Sequence, residues 1–290
     1  MDQNKSKNSI GLFLLCMVPL AIALILMNAA TIPTTFIVMF GRIFKAMEGV
    51  EDVNILQERL DIIVANPDLL QTVTTISMTI YNIVAAIGFG LFYCIKIKKK
   101  QFNKLSEIYN IKSVLGIILL FIGAESFINL LVVIIRFIFP SMYKNYEALV
   151  EQSGIINLSP LMMFVVVILA PIAEEFIFRG ITLKLANDFT SEFWIANIIQ
   201  AAMFGIYHMN LMQGIYTFIM GLCLGYIFKK FNSLTASILA HLTFNIAGTY
   251  FEQLFFVNTE VWMRLIYGVT VCFLGLLLIY NNKQNAKVNN

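Results

Sequence analysis

APIAEEFIFRG, residues 170–180, places two adjacent carboxylates and a guanidinium inside a run that is otherwise apolar. The preceding residues, 161–169, carry no charge at all. At the centre of a membrane each charged side chain costs roughly 2.5–3.5 kcal/mol on insertion scales. Glu174, Glu175 and Arg179 are therefore expected either to pair with one another or to take part in chemistry.

The composition around this stretch is that of a polytopic membrane protein. Of the 290 residues, 59% are hydrophobic and 13% are charged, and the mean hydropathy is +0.80. Soluble domains are near half apolar and a quarter charged. Because a span needs about 20 residues, we predict an all-α fold with about eight transmembrane helices. The predicted spans are 10–40, 70–95, 114–139, 161–183, 193–208, 211–228, 234–250 and 261–280.

The first apolar run is longer than the roughly 7–15 apolar residues of a signal peptide, so we expect a retained span in which Pro19 and Pro33 kink or end the helix. Counting from an inner N-terminus, 13 of the 20 basic residues lie on the inner side. Because cytoplasmic loops carry the excess of Lys and Arg, we predict that both termini lie inside. Four basic residues fall in the outer loops: Arg42, Lys45, Arg59 and Lys144.

We divide the chain into three parts. Residues 1–157 hold three predicted helices and an acidic outer loop, residues 158–250 a core of four helices that contains Glu174, Glu175 and Arg179, and residues 251–290 the last helix and a polar tail. The lipid bilayer is the expected environment, and nothing predicts a nucleic-acid partner. The compact chain suggests the cytoplasmic membrane of a bacterium.

Helical spacing separates the two adjacent glutamates. Glu175 and Arg179 are four residues apart, so they share one face of a helix and can form an ion pair that makes the arginine tolerable in the membrane. Glu174 points about 100° away from Glu175, toward a different neighbour. We therefore assign Glu175 to the ion pair and leave Glu174 for chemistry.

The chain has only two histidines, and both lie in or beside predicted spans of the same half. His208 follows Phe204 by four residues, and His241 precedes Asn245 by four. A carboxylate and an imidazole can hold and deprotonate a water, and further imidazole or amide groups can stabilise an oxyanion. This set fits hydrolysis of a peptide bond, while Glu174 with both histidines could instead bind Zn²⁺. Each motif alone is more often structural, and only their combination indicates a hydrolase.

The three motifs together resemble those of a known family. Glu174-Glu175-x-x-x-Arg179, Phe204-x-x-x-His208 and His241-x-x-x-Asn245, in this order, are similar to the CPBP intramembrane endopeptidases. That family includes the type II CAAX prenyl endopeptidases and bacterial relatives linked to bacteriocin processing or self-immunity. The resemblance covers about residues 160–250.

The resemblance implies a fold and a set of roles. The fold would be a helical bundle with a cavity open toward the cytoplasm. Glu174 would be the general base, His208 would help to orient the water, and His241 with Asn245 would stabilise the oxyanion. Three further residues would support the site: Glu175, Arg179 and Phe204.

Metal dependence is open at this stage, because family members have been described both as metalloproteases and as glutamate-dependent proteases. We favour no metal, since Asn245 on the helix face of His241 fits an oxyanion hole better than a zinc site. The alternative is zinc held by Glu174, His208 and His241.

We expect an intramembrane protease that hydrolyses a membrane-tethered peptide, whether prenylated, lipidated or bacteriocin-like. Two other classes compete with this interpretation. One is a non-enzymatic membrane scaffold or immunity protein that keeps the motifs for folding. The other is a proton-coupled transporter in which Glu125, Glu174 and Arg179 form a relay.

Overall fold

The computed structural model describes residues 2–50, 52–97, 110–152, 159–250 and 260–288, and within these ranges every regular element is helical. The all-α fold is therefore confirmed. The predicted boundary at 157/158 and the residues just after 250 lie outside the described ranges, so the division into three parts stays a prediction. The helices are α1 Asp2–Met47, α2 Val53–Ala65, α3 Pro67–Phe92, α4 Ile111–Ile138, α5 Pro140–Gln152, α6 Pro160–Thr190, α7 Phe193–Tyr207, α8 Leu211–Phe231, α9 Leu234–Ile246 and α10 Val261–Val288.

Six of the described helices, α1, α3, α4, α6, α8 and α10, are long and apolar enough to cross a membrane. The protein is thus a multi-pass integral membrane protein. Helix α7 has 15 residues and is shorter than the roughly 20 residues of a full span, whereas α9 continues as π-helix to residue 250, where the described range ends. The count of eight spans, the inner position of both termini and the cytoplasmic opening stay predictions. Pro19 and Pro33 lie inside α1, so neither of them ends that helix.

Helix α6, which carries residues 170–180, lies at the centre of the bundle. Helices α1, α3, α7, α8 and α9 all pack against it. Its apolar side chains therefore meet protein on most sides, and its charged groups must find partners on these neighbours. The fold thus encloses the stretch in which the sequence placed three charges.

Helices α7 and α8 form the antiparallel hairpin that the short connection between them predicts. Gly221 of α8 lies against Ala201 of α7, and a Cβ added to Gly221 would stand 2.9 Å from the Cβ of Ala201. Gly225 lies against Asn197, where an added Cβ would stand 1.8 Å from Oδ1. These glycines therefore let the two backbones approach closely.

Helices α4 and α10 meet along a second glycine seam. A Cβ on Gly275 of α10 would lie 2.6 Å from the backbone nitrogen of Leu120 and 2.8 Å from the carbonyl oxygen of Gly116. Lipid tails are as apolar as leucine, so close backbone packing rather than hydrophobic burial has to hold such helices together.

We predict that Gly275→Ala destabilises the protein by about 1–3 kcal/mol, because the nearest atoms are backbone and cannot move aside. Gly88→Ala is the matched control, since a Cβ at this helical glycine has nothing within 4 Å. Thermal unfolding in detergent micelles measures both variants. An equal melting temperature for Gly275→Ala and Gly88→Ala would contradict the seam.

Candidate active site

Helix α6 departs from regular α-helix on both sides of the glutamate pair. Val165–Leu169 and Phe176–Thr182 are π-helical, and the short α-helical segment Ala170–Glu175 lies between them. Single π turns inside helices occur frequently at functional sites. Each one changes the direction in which the following side chains point.

Asn245 completes the backbone hydrogen bonding of the first π segment. In this register the N–H of Ala170 donates to the carbonyl of Val165. The carbonyl of Val166 would next accept from residue 171, but Pro171 has no N–H. Asn245 Nδ2 of α9 donates to that carbonyl oxygen at 2.9 Å. A neighbouring helix thus satisfies the group that the proline leaves without a partner.

Glu175 is fully buried and has three partners. Its Oε1 lies 2.8 Å from Arg179 Nη1 and 2.8 Å from His241 Nδ1. Its Oε2 accepts a hydrogen bond from the hydroxyl of Ser237. The ion pair that the spacing predicts is present. The same carboxylate also fixes the histidine of α9.

Arg179 links α6 to the α7–α8 hairpin. Its side chain is fully buried, and Nη2 lies 3.4 Å from the carbonyl oxygen of Gly221. Gln200 Nε2 donates to the same oxygen at 2.9 Å. The guanidinium carbon lies 4.5 Å from the centre of the Phe204 ring, a cation–π geometry. The negative charge of Glu175, the hydrogen bond to the Gly221 carbonyl and the face of the Phe204 ring together offset the cost of burying this cation.

His241 stands between the two glutamates. Because Glu175 accepts at Nδ1, that nitrogen carries the proton, and a neutral ring then presents a lone pair at Nε2. Nε2 lies 3.6 Å from Glu174 Oε2. Glu174 keeps 8% of its surface exposed, whereas Glu175 keeps none. Of the two carboxylates, Glu174 is the one that a small molecule can reach.

Both histidines pack against the ring of Phe204. His208 packs edge-on against the Phe204 ring with centroids 4.9 Å apart, and His241 does the same at 5.8 Å. His208 Nδ1 lies 2.9 Å from the carbonyl oxygen of Phe204. That oxygen can only accept, so Nδ1 donates and Nε2 of the neutral ring is again an acceptor. The three predicted motifs therefore converge on one place.

The sequence interpretation missed three polar residues beside this site. Ser237 precedes His241 by four residues, as Asn245 follows it by four, so a polar stripe on α9 was the available signal. The hydroxyl of Tyr207 donates to that of Tyr81 at 2.9 Å, and this buried pair joins α7 to α3 next to His208. Nothing in the spacing of residues 126 positions apart could have indicated that bond.

The sequence left a zinc site as the alternative to a metal-free one. Within the ranges that the structure describes, no three His, Cys, Asp or Glu side chains are grouped so that they could hold a metal ion. The preference for no metal stays a prediction.

A known protein family matches the segment of the chain that contains the three motifs. Residues 156–247 match the family described as Type II CAAX prenyl endopeptidase Rce1-like. The resemblance to the CPBP endopeptidases is confirmed. All of the site residues described on α6, α7 and α9 lie inside the matched segment. No solved structure matches the chain.

One curated relative extends the comparison. A protein of Bacillus subtilis (strain 168) named "Putative membrane peptidase YdiL" is 31% identical over 102 residues. The aligned part is 35% of this chain and 40% of the relative. The chain thus spans less than half of the relative it matches, and a bacterial membrane is consistent with that relative.

We predict that Glu175→Gln costs roughly 3–5 kcal/mol, because it leaves Arg179 buried without its counter-charge. The double variant Glu175→Gln/Arg179→Met should recover much of that loss. The matched control is Asp188→Asn, which breaks the Lys184–Asp188 pair of the same spacing on the same helix, where both side chains are 49% exposed. That change should cost at most about 1 kcal/mol. Unfolding in mixed SDS micelles measures all three, and equal losses in both pairs would contradict the assignment.

A second prediction concerns Asn245 and Pro171. Asn245→Leu leaves the Val166 carbonyl without a partner and should cost about 1–3 kcal/mol. In a Pro171→Ala background the new backbone N–H can take over that carbonyl, so the same change should cost less. A double-mutant cycle measures the coupling, which is expected to be at least about 0.5 kcal/mol. Strict additivity would show that the proline and the asparagine are independent.

Proposed function

We propose that this protein is an intramembrane endopeptidase in which Glu174 and His241 activate a water. One observation carries the proposal: Glu174 Oε2 and His241 Nε2 lie 3.6 Å apart, and both are acceptors. A water placed about 2.8 Å from each can donate one hydrogen bond to the carboxylate and the other to the imidazole. Its lone pair then points away from both groups, toward a substrate carbonyl.

The side chains of Glu175 and Arg179 support this arrangement. Glu175 accepts at His241 Nδ1 and so holds the opposite nitrogen ready to accept from the water. Arg179 balances the charge of Glu175 and leaves Glu174 as the carboxylate that takes a proton. This changes the role that the resemblance gave to His241, from oxyanion donor to partner in water binding.

The proposed reaction is a hydrolysis. Glu174 takes a proton from the water while the oxygen attacks the carbonyl carbon, and a C–O bond forms. The second Nδ2 hydrogen of Asn245, beyond the one given to Val166, can donate to the oxyanion. Glu174 then gives its proton to the leaving nitrogen as the C–N bond breaks, and a carboxylic acid and an amine leave. His208, whose ring packs against Phe204 with centroids 4.9 Å apart, would help to orient the water.

The proposed substrate is a peptide tethered to the membrane by a lipid, prenyl or bacteriocin-like hydrophobic segment. Two observations support this class. The site lies on a helix that is long and apolar enough to span the membrane, and the matched family is named for prenyl peptide cleavage. A tethered substrate would reach this depth by moving within the bilayer.

The test uses the purified full chain in lipid vesicles with a quenched fluorescent peptide carrying a prenyl or acyl anchor. Glu174→Gln should slow cleavage by about 10²–10⁴-fold, as expected for loss of a general base. Glu125→Gln is the matched control, because Glu125 is a buried glutamate of α4 outside the three motifs. Cleavage that survives Glu174→Gln and His241→Ala would refute the mechanism.

Two further measurements separate this proposal from the scaffold and the zinc alternatives. A scaffold that needs the motif for folding would lose thermal stability in Glu174→Gln, whereas the protease should lose rate at an unchanged melting temperature. Because the proposed mechanism uses no metal, chelators should leave the rate unchanged. Stoichiometric zinc in the purified protein, lost in His208→Ala, would contradict that part of the proposal.

A further inference from the structure

An apolar cavity of about 340 Å³ lies between α1 and α3, away from the glutamate site. Its volume is within the range of small-molecule sites, roughly 300–1,000 Å³. Thr31 and Thr35 line it, but their hydroxyls donate to carbonyls of their own helix at 2.9 and 2.8 Å. These threonines therefore present methyl groups, beside the side chains of Met27, Met39 and Val73.

One polar group in the cavity wall has no partner. Ser77 is 3% exposed, and its hydroxyl forms no hydrogen bond in the structure. A buried hydroxyl without a partner is uncommon in folded proteins, because its desolvation is not repaid. An occupant with an ester or hydroxyl oxygen would satisfy it.

A second cavity, of about 320 Å³, lies at the end of α1 and is basic. Arg42, Lys45 and Arg59 line it, together with apolar residues of α2. Three of the four cations that the sequence places in the outer loops are thus gathered in one place. Within the described ranges none of the three forms an ion pair with a carboxylate. Asp52 and Asp61 of the acidic loop accept instead from Asn54 and Gln57.

The two cavities are neighbours. Met39 lines the apolar one and Arg42, less than one helical turn further along α1, lines the basic one. Arg42 Nη2 also lies 3.4 Å from the hydroxyl of Thr72, which directly precedes Val73 of the apolar wall. A single elongated molecule can therefore place a charged end in one cavity and an apolar chain in the other.

The helices that bound the apolar cavity carry exposed apolar side chains. Leu70 of the cavity lining is exposed, as are Phe36 and Ile37 of α1 and Ile80 of α3, and these residues lie in helices long and apolar enough to span a membrane. An occupant that enters past these side chains is dissolved in the bilayer.

We propose that α1, α2 and α3 form a binding site for an anionic phospholipid. Its phosphate lies among Arg42, Lys45 and Arg59. One acyl chain lies between α1 and α3, with its ester end near Ser77. The charge of the basic cavity selects an anionic headgroup, and the apolar cavity next to it selects a lipid over a soluble anion. The site is separate from the glutamate pair and does not depend on the proposed proteolysis.

The test is binding of defined lipids to the purified full chain in neutral detergent, followed by native mass spectrometry and thermal unfolding. Long-chain phosphatidylglycerol should bind and raise the melting temperature more than phosphatidylcholine with the same chains. Dihexanoyl phosphatidylglycerol and inorganic phosphate, which lack the long chain, should produce little shift. Equal shifts from phosphate alone would show a free-anion site and overturn the proposal.

Charge variants locate the site. Arg42→Gln and Lys45→Gln should each weaken phosphatidylglycerol binding about fivefold, the effect of one basic residue near an anionic lipid. Lys144→Gln is the matched control, a predicted outer-loop cation that is outside the basic cavity. Equal effects of Lys144→Gln and Arg42→Gln would refute the assignment. Size-exclusion profiles of the variants distinguish lost binding from lost folding.

Discussion

A fully buried ion pair, Glu175 with Arg179, is the contact on which the rest of the core depends. Neither charge can be removed alone, because the other would then stand uncompensated in a fully buried position. The pair in turn fixes α9 through His241 and Ser237, and the hairpin through the Gly221 carbonyl. Three helices are thus aligned around one carboxylate and one guanidinium.

The sequence was sufficient where the interaction is local to one helix. Glu175 and Arg179 are four residues apart, and that spacing alone predicted their pairing. The partner of Glu175 on α9 was missed, because contact between distant helices depends on how each is rotated about its axis. Asn245 shows the same limit: its bond to Val166 depends on a π-helical register that spacing rules for α-helices do not include. The proposed roles of Glu174 and His208 remain predictions for the same reason.

The number of spans shows another limit of reading apolar runs. All eight predicted segments are helical where the structure describes them, because an apolar run in a membrane protein has to satisfy its own backbone. Whether a helix is long enough to cross the membrane is a separate question. Helix α7 is as apolar as its neighbours but only 15 residues long. Packed against α6, such a helix can be covered by protein rather than by lipid, so hydropathy does not determine whether it crosses.

The seam between α4 and α10 has a consequence for how the protein is made. Within the part of the chain that the structure describes, every side chain that binds Glu175 or Arg179 comes from residues before 250, and α10 packs chiefly on α4. The buried charges can therefore pair during synthesis, while the last helix is still inside the ribosome. Helix α10 then meets a glycine-lined face of α4. These contacts allow the step that neutralises charge to precede the step that completes the bundle.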